Sequence, residues 1–302
     1  MSGPVPPVSI GLPVFNGEAY LQEALDSLLS QDFGDFELAI GDNASTDGTE
    51  EICRDALRRD RRVTYHRSDS NRGAAWNFSR LVHLTRGEYF RWAAHDDVNA
   101  PTYLRRCVDV LAEHQDVSLC FSRILRINSQ GRSLGIQSVP TPATQRRAPA
   151  RARSFLWHRA FPKAAPFGLA RRVQLERTDL IKPYRSSDRT FLLQMALHGR
   201  FHQIEEPLLL HRTHPNRSVY LPAEKRLAWW DGGDAGRGSL AKWRLLRGYV
   251  EAMGSMALPI HTRAETMCYL GGWAFQNASP LSREAIRAAG LGAIRKSVET
   301  PT

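Results

Sequence analysis

The chain has 302 residues, 42% hydrophobic and 24% charged, which excludes a disordered or collagen-like protein and is enough to bury a substantial core. Its 41 basic residues exceed its 31 acidic ones, and the net charge of +10 favours anionic partners such as a diphosphate-bearing substrate, an anionic membrane surface or a nucleic acid. No apolar stretch approaches the ~20 residues that cross a bilayer, and Met1 to Pro7 lacks a basic region and a long apolar run, so a soluble cytoplasmic protein is expected.

A first strand is expected from Val8 to Pro13, ending in the turn Val14-Phe15-Asn16-Gly17-Glu18. Leu21, Leu25, Leu28 and Leu29 then recur at helical spacing, and Phe36 to Gly41 reads as a second strand. It runs into the small, polar stretch Asp42-Asn43-Ala44-Ser45-Thr46-Asp47-Gly48, where Thr46 or Asp47 suits the cap of a helix with Glu50 and Glu51 in its first turn. Further strands are expected at Val63 to Arg67, Glu88 to Ala93 and Val117 to Ile124, with a helix face at Leu104, Cys107, Val108 and Leu111. Such alternation predicts an α/β fold, a mainly parallel sheet with helices on both faces. Three of its strand ends carry polar or acidic groups, which is where such sheets bind nucleotides.

Beyond Asn128-Ser129-Gln130-Gly131 the pattern weakens, and Pro140 to Pro149 reads as a mobile basic loop, either a lid or a linker. Order resumes at Phe155 to Ala160 and Phe167 to Arg171. A helix from Asp188 to Gly199 follows, with Phe191, Leu192, Met195 and Ala196 on one side. The strand Phe201 to Leu210 then leads into His211-Arg212-Thr213-His214-Pro215. From Pro222 onward helices are expected between glycine-rich breaks such as Asp231 to Gly236, with Leu240 to Tyr249 packing on the rest of the chain rather than seeking a membrane. Cys53, Cys107, Cys120 and Cys268 make no Cys-x-x-Cys pair, so neither zinc nor redox chemistry is suggested. Basic residues are spread along the chain without a helix-turn-helix, zinc-finger or RNA-recognition pattern, which argues for no nucleic acid. A Gly-x-Gly-x-x-Gly after the first strand and a Gly-Lys-Ser/Thr loop are both missing, against a dinucleotide-dependent oxidoreductase and a P-loop phosphotransferase.

Val8 to Glu18, Phe36 to Gly48 and Tyr89 to Asp97, in that order, resemble the inverting family 2 glycosyltransferases with a GT-A fold, over roughly the first two thirds of the chain. The resemblance implies a catalytic domain over 1–220, its 8–127 half binding the nucleotide sugar and its 128–220 half facing the acceptor, with a helical region over 221–302. It implies that Pro13, Phe15, Asn16 and Glu18 hold the nucleotide, and that Asp42 contacts the base while Asn43, Ser45 and Asp47 shape its loop. Arg72 and Asn77 fall at a loop and helix start near the nucleotide, with Arg72 either facing the diphosphate or solvated. As local structure alone, Asn16 to Glu18 is also a turn with a helix start, and for Asp47 a capping role is preferred.

The family's metal motif, Asp-x-Asp at a strand end, falls on Ala94-His95-Asp96 with its first acid missing. The resemblance implies Mn²⁺ or Mg²⁺ on Asp96, because a hard cation bridging carboxylate and phosphate oxygens needs only one or two protein carboxylates. His95 either substitutes for the lost acid or orients a neighbour, and Asp97 either joins the site or caps the next helix. His211 to Ser218 is similar to the family segment that closes over the diphosphate, implying that His214 completes the metal site or contacts phosphate while Arg212 and Arg217 add positive charge. Asp188 falls where the family presents its catalytic base, although Ser187 and Asp188 also suit a helix N-cap. The expectation is an inverting, hexosyltransferase-type enzyme that moves a sugar from a UDP-, GDP- or dTDP-sugar to the hydroxyl of a glycan, lipid-linked or small-molecule acceptor. Polysaccharide biosynthesis and secondary metabolism both fit, as do peripheral contact with the inner face of a membrane and a homodimer. The missing acid keeps a catalytically inactive protein that binds a sugar nucleotide or glycan as the alternative.

Overall fold

Seven consecutive buried residues make β1 (Val8–Val14) the centre of the sheet, as expected of a strand covered on both faces. In the computed structural model, which describes residues 5–137, 139–158, 163–222, 226, 229–230 and 240–288, β1 pairs in parallel with β2 (Phe36–Asp42) on one side and β4 (Tyr89–Trp92) on the other. β3 (Val63–Arg67) extends the parallel group beyond β2. A second parallel pair, β6 (Val117–Ile127) with β9 (Arg200–Arg212), is joined to the first by the short β8 (Leu169–Arg171), antiparallel to both β4 and β6. β5 (Val98–Asn99) borders the end of β9 and β7 (Ser133–Gln137) borders β6. The described strands thus form one mixed sheet in the order β3-β2-β1-β4-β8-β6-β9-β5, the expected α/β class with helices on its faces.

The connections supply those helices: α1 (Leu21–Leu29), α2 (Thr49–Arg59), α3 (Ala74–His83) and α4 (Tyr103–Glu113). Leu21, Leu25 and Leu28 of α1 are fully buried, as their spacing requires. α3 lies so close to β2 that a Cβ at Gly41 would stand 2.7 Å from Asn77 Oδ1 and force the Asn77 side chain to move. α2 departs from the expected cap: the residue before it is Gly48, with no side-chain cap, and Asp47 Oδ1 instead accepts from the Thr49 amide at 3.1 Å and hydroxyl at 2.6 Å.

The second half adds α5 (Ala148–Trp157), the single turn α6 (Arg172–Leu175) and α7 (Ser187–His198). Ser118 Oγ at the start of β6 donates to Met195 O near the end of α7 at 3.0 Å, so α7 runs antiparallel to β6. Its first turn therefore stands at the end of the sheet where the parallel strands finish. Phe191 to Leu197 are all buried, because α7 is covered on its other side by α8 (Ala241–Ser255), which buries Leu245, Tyr249 and Met253. α9 (Ile260–Gln276) packs on α5 and α10 (Ala278–Ala288) on α8. The loop Pro140 to Pro149 is sewn to β9 rather than loose: Ala143 is fully buried and its carbonyl accepts from the Phe201 amide at 2.9 Å, while Thr141 Oγ1 donates to Gln203 at 2.8 Å. The expected break Asp231 to Gly236 lies outside the described residues. Cys53, Cys107 and Cys120 are buried, Cys268 is exposed, and all four are free thiols. No described helix is long and apolar enough to cross a membrane.

Candidate active site

The chain order reverses at β1, with β2 and β3 on one side and β4 on the other, and at such a switch point the loops leaving the strands diverge and open a crevice. A cleft of about 460 Å³ lies there. Pro13, Phe15 and Asn16 from the end of β1, Asn43 from the end of β2, and His95 and Asp96 after β4 contribute to its wall. Asn77 on α3, together with His214 and Arg217 from the segment after β9, adds to it. Of the residues singled out in the sequence, Glu18, Asp42, Ser45, Arg72, Arg212 and Asp188 are not among those that line it.

Most of these exceptions are structural, each for an identifiable reason. The turn after β1 puts Asn16 at φ 52° and the turn after β2 puts Ala44 at φ 65°, both left-handed conformations costly for a residue with a Cβ. The two turns hold each other in place. Asn16 N donates to Ser45 Oγ at 2.9 Å, Thr46 N to Asn16 Oδ1 at 2.8 Å, and Gly48 N to Glu18 Oε2 at 2.7 Å. Ser45 and Glu18 therefore shape the rim of the cleft without facing it.

Asp42 is the clearest correction. It is the last residue of β2, register partner of Arg67 on β3, and its carboxylate turns toward that strand. Fully buried, it accepts from Ser45 N at 2.9 Å, Tyr65 OH at 2.7 Å and Arg67 Nη1 at 2.5 Å, and it is not among the residues that line the cleft. Asp42→Ala is accordingly expected to destabilise the fold by about 2–3 kcal/mol, less than a fully buried ion pair because Arg67 is partly exposed, read as a lower urea midpoint. A variant as stable as wild type but with a raised donor KM would return Asp42 to the site.

Asn43 faces the cleft in its place, although its amide mainly holds the next loop: Nδ2 donates to Asn71 Oδ1 at 2.8 Å, and Oδ1 accepts from Arg72 N at 3.0 Å. Asn77 Nδ2 donates to Gly41 O at 2.6 Å, while its Oδ1 has no hydrogen-bond partner among the described residues despite being buried. Arg72 lies over the Trp76 ring, 4.0 Å from its centroid, with Arg80 at 4.4 Å from the same ring.

Across the cleft, Asp96 Oδ2 stands 2.9 Å from His214 Nε2, and the Tyr20 ring packs on His214 at 4.7 Å between centroids. Burial pushes the Asp96 carboxyl up, but the hydrogen bond from His214 and the nearby His95, His214 and Arg217 more than offset it and hold it well below the usual carboxylate range. Arg212 is 2% exposed and spent on support: Nε donates to Asp96 O at 3.0 Å, Nη2 to Glu23 Oε2 at 2.5 Å, and Nη1 to the Asn128 and Ser129 carbonyls. Arg217, not Arg212, is the arginine that reaches the cleft. Asp97 does not cap α4, whose first turn follows Thr102, but bonds to His211 and to the Arg212 amide.

No cluster of three or more metal-ligating side chains occurs among the described residues. The pair Asp96 and His214 still suits a cation that takes its other ligands from a bound diphosphate, because one carboxylate oxygen and one imidazole nitrogen meet at the cleft wall, and the buried His214 Nδ1 has no partner among the described residues.

Asp188 lies in the first turn of α7, whose N-cap Ser186 has φ 69° and makes no side-chain capping bond itself. It stands at the cleft's end of the sheet, one turn before Phe191, which meets the Trp92 ring at 5.3 Å; Trp92 Nε1 in turn donates to the carbonyl of Phe78, a cleft residue. Burial raises its pKa above the 3.8 of an ordinary aspartate, against the opposing pull of Arg189 and of backbone amides.

Asn71, in the Asn71-Arg72-Gly73 loop expected near the nucleotide, lines the cleft, and so do Tyr20, Phe78, Phe167 and Trp229, which were not singled out in the sequence. Phe78 adjoins Asn77 on α3; Phe167 and Trp229 reach the cleft from far along the chain, with nothing local to mark them.

The family model described as glycosyl transferase family 2 matches residues 9–173. Abequosyltransferase RfbV of Salmonella typhimurium is 37% identical over 117 residues, covering 37% of this chain and 35% of its own length. An uncharacterized glycosyltransferase of Rickettsia typhi is 35% identical over 107 residues, covering 35% of this chain and 32% of its own, so the chain spans about a third of these relatives. Among solved structures, S. aureus TarS 1-349 in complex with UDP-GlcNAc superposes with a TM-score of 0.64 at 17% identity, covering 89% of this chain and 72% of that one. Mannosyltransferase PcManGT from Pyrobaculum calidifontis, in complex with GDP-Man and Mn2+, gives 0.54 at 16% identity, covering 96% and 81%.

Proposed function

This chain belongs to glycosyl transferase family 2, and on that premise we propose that it is an inverting glycosyltransferase that moves a sugar from a nucleoside-diphosphate sugar to an acceptor hydroxyl. The observation that carries the reading is the pairing of Asp96 with His214 in the wall of a cleft at the sheet's switch point, with Arg217 beside them. Asp188 takes the proton of the acceptor hydroxyl as its oxygen bonds to the anomeric carbon from the face opposite the diphosphate. The bond from that carbon to the diphosphate oxygen breaks, and the configuration inverts. A pKa raised by burial makes Asp188 a stronger base than an exposed aspartate. Arg217 meets the charge that grows on the leaving diphosphate. Asp96 and His214 would hold a divalent cation there, whose chemistry is neutralisation of the same diphosphate.

The fold neighbours seen with UDP-GlcNAc and with GDP-Man and Mn2+ name the first donors to try. The test is thermal stabilisation by UDP, GDP, dTDP and CDP with and without Mn²⁺. One nucleotide with Mn²⁺ is expected to raise Tm by about 4 °C or more at a hundredfold excess over Kd, because binding to the folded state alone contributes about 2.7 kcal/mol. A rise without Mn²⁺ would remove the metal from the reading, and no rise with any nucleotide would overturn it.

Ala94 in place of the first motif acid and the position of Asp188 outside the cleft lining favour one alternative, a protein of this fold that binds a sugar nucleotide without turning it over. Stabilisation by a nucleotide sugar with no transfer to any acceptor and no hydrolysis distinguishes it.

A further inference from the structure

Asp97, His211 and Arg217 form a chain of contacts that runs from the core into the cleft. Asp97 is 1% exposed; its Oδ1 accepts from the Arg212 amide at 2.9 Å, and its Oδ2 lies 3.0 Å from His211 Nδ1. On the opposite edge of the ring, His211 Nε2 lies 2.7 Å from Arg217 Nη2. A guanidinium only donates, so Nε2 must accept and Nδ1 must give its hydrogen to Asp97. The ring is thus fixed as the neutral Nδ1–H tautomer, committed at both ends.

Resting on the reading of this cleft as a diphosphate-donor site, we propose that Asp97 and His211 are positioning residues that aim Arg217 at the leaving diphosphate. The neutrality of the acceptor is what matters. A carboxylate in the place of His211 would cancel the charge of Arg217 and compete with the diphosphate for its hydrogens. A neutral imidazole fixes one Nη–H and leaves the full positive charge and the remaining donors of the planar fork available to a ligand. Arg212, five residues earlier, shows the contrasting arrangement: it is buried, and its Nη2 is given to Glu23. One arginine of this segment is tied to an acid as a structural brace, and the other is held by a base at the cleft wall, where its charge already reaches Asp96.

The test is steady-state kinetics with whichever nucleotide sugar the wild type turns over. His211→Asn keeps a donor toward Asp97 but loses the acceptor toward Arg217, whereas His211→Gln places a carbonyl oxygen near the former Nε2. His211→Asn is expected to lower kcat by about 10- to 100-fold with donor KM changed less than about threefold, as for a group that acts on charge developing in the transition state. His211→Gln should recover at least part of that loss. The double variant His211→Asn with Arg217→Met should be no slower than Arg217→Met alone, since both remove the same interaction. Additive losses, or an unchanged kcat in folded His211→Asn, would overturn the proposal. Should His211→Asn fail to fold, ¹⁵N NMR of the wild type decides: the ring whose signals move in Arg217→Met must be the Nδ1–H tautomer, and an Nε2–H or doubly protonated ring rules the arrangement out. Failure of the wild type to bind any nucleoside diphosphate is a separate result and would overturn the reading of the cleft instead.

Discussion

Asp96→Asn is expected to lower sugar transfer by about 10³-fold or more and also to lower Tm at neutral pH, because a carboxyl held below its ordinary pKa stabilises the fold when ionised. Its carboxylate combines three properties: it lines the cleft, it meets His214 at 2.9 Å, and it stays charged because its pKa lies well below the usual range. Asparagine keeps the shape and a hydrogen-bonding group for His214, so what the variant loses is the charge. About 4 kcal/mol of transition-state stabilisation corresponds to that thousandfold. The Mn²⁺-dependent part of the thermal shift with nucleotide should disappear in the same variant. Full turnover with metal present would remove Asp96 from the chemistry.

Asp188→Asn is expected to lower kcat by about 10²- to 10⁴-fold with little change in donor KM, the loss typical of a general base. Two further readouts separate this from mere damage. A base works deprotonated, so wild-type kcat should fall as pH drops through a pKa above 3.8, and the variant's residual rate should not show that limb. Stability should move the other way. Because burial raises the folded-state pKa above the unfolded one, folding favours the protonated acid, and the stability it contributes is lost as pH rises through the folded pKa. Asparagine removes that loss, so the variant at neutral pH should melt no lower than wild type. A variant that transfers sugar at the wild-type rate would leave Asp188 as a residue of the α7 terminus only.

How much of this was legible in the sequence follows from how far each contact reaches. β1 and β2 announce themselves as apolar runs and β3 as a β-branched and aromatic one, and the fold class follows from their alternation with helices. β5 and β8 have two and three residues, too short for any periodic signal, and exist because β9 and β4 offer them partners. The same limit applies in the site. Asp96 and His214 are marked by a motif and by a polar cluster after a strand, and only the family resemblance, not any local pattern, joins them across 118 residues. Asp42 and Asn43 are adjacent and equally polar; only the register of β2 against β3 sends Asp42 to Arg67 and leaves Asn43 at the cleft. Arg212 and Arg217 differ likewise only through their contacts: Glu23, 189 positions away, takes Arg212, and the nearby His211, itself held by the remote Asp97, takes Arg217.

β9 runs thirteen residues, from beside the start of β6 to the cleft, and the residues at its far end contact Asp96 and Asp97 more than a hundred positions upstream. Contacts of such sequence separation form late, because the loop they close must lose its entropy before they contribute anything. Residues 9–173 therefore carry Asp96 but neither His214 nor Arg217, so they supply one wall of the cleft without the other. During synthesis, the wall of the cleft built by β1, β2 and β4 leaves the ribosome well before the segment after β9 that completes it. On the function proposed above, a growing chain gains the His214 and Arg217 contacts to a nucleotide only once β9 has docked.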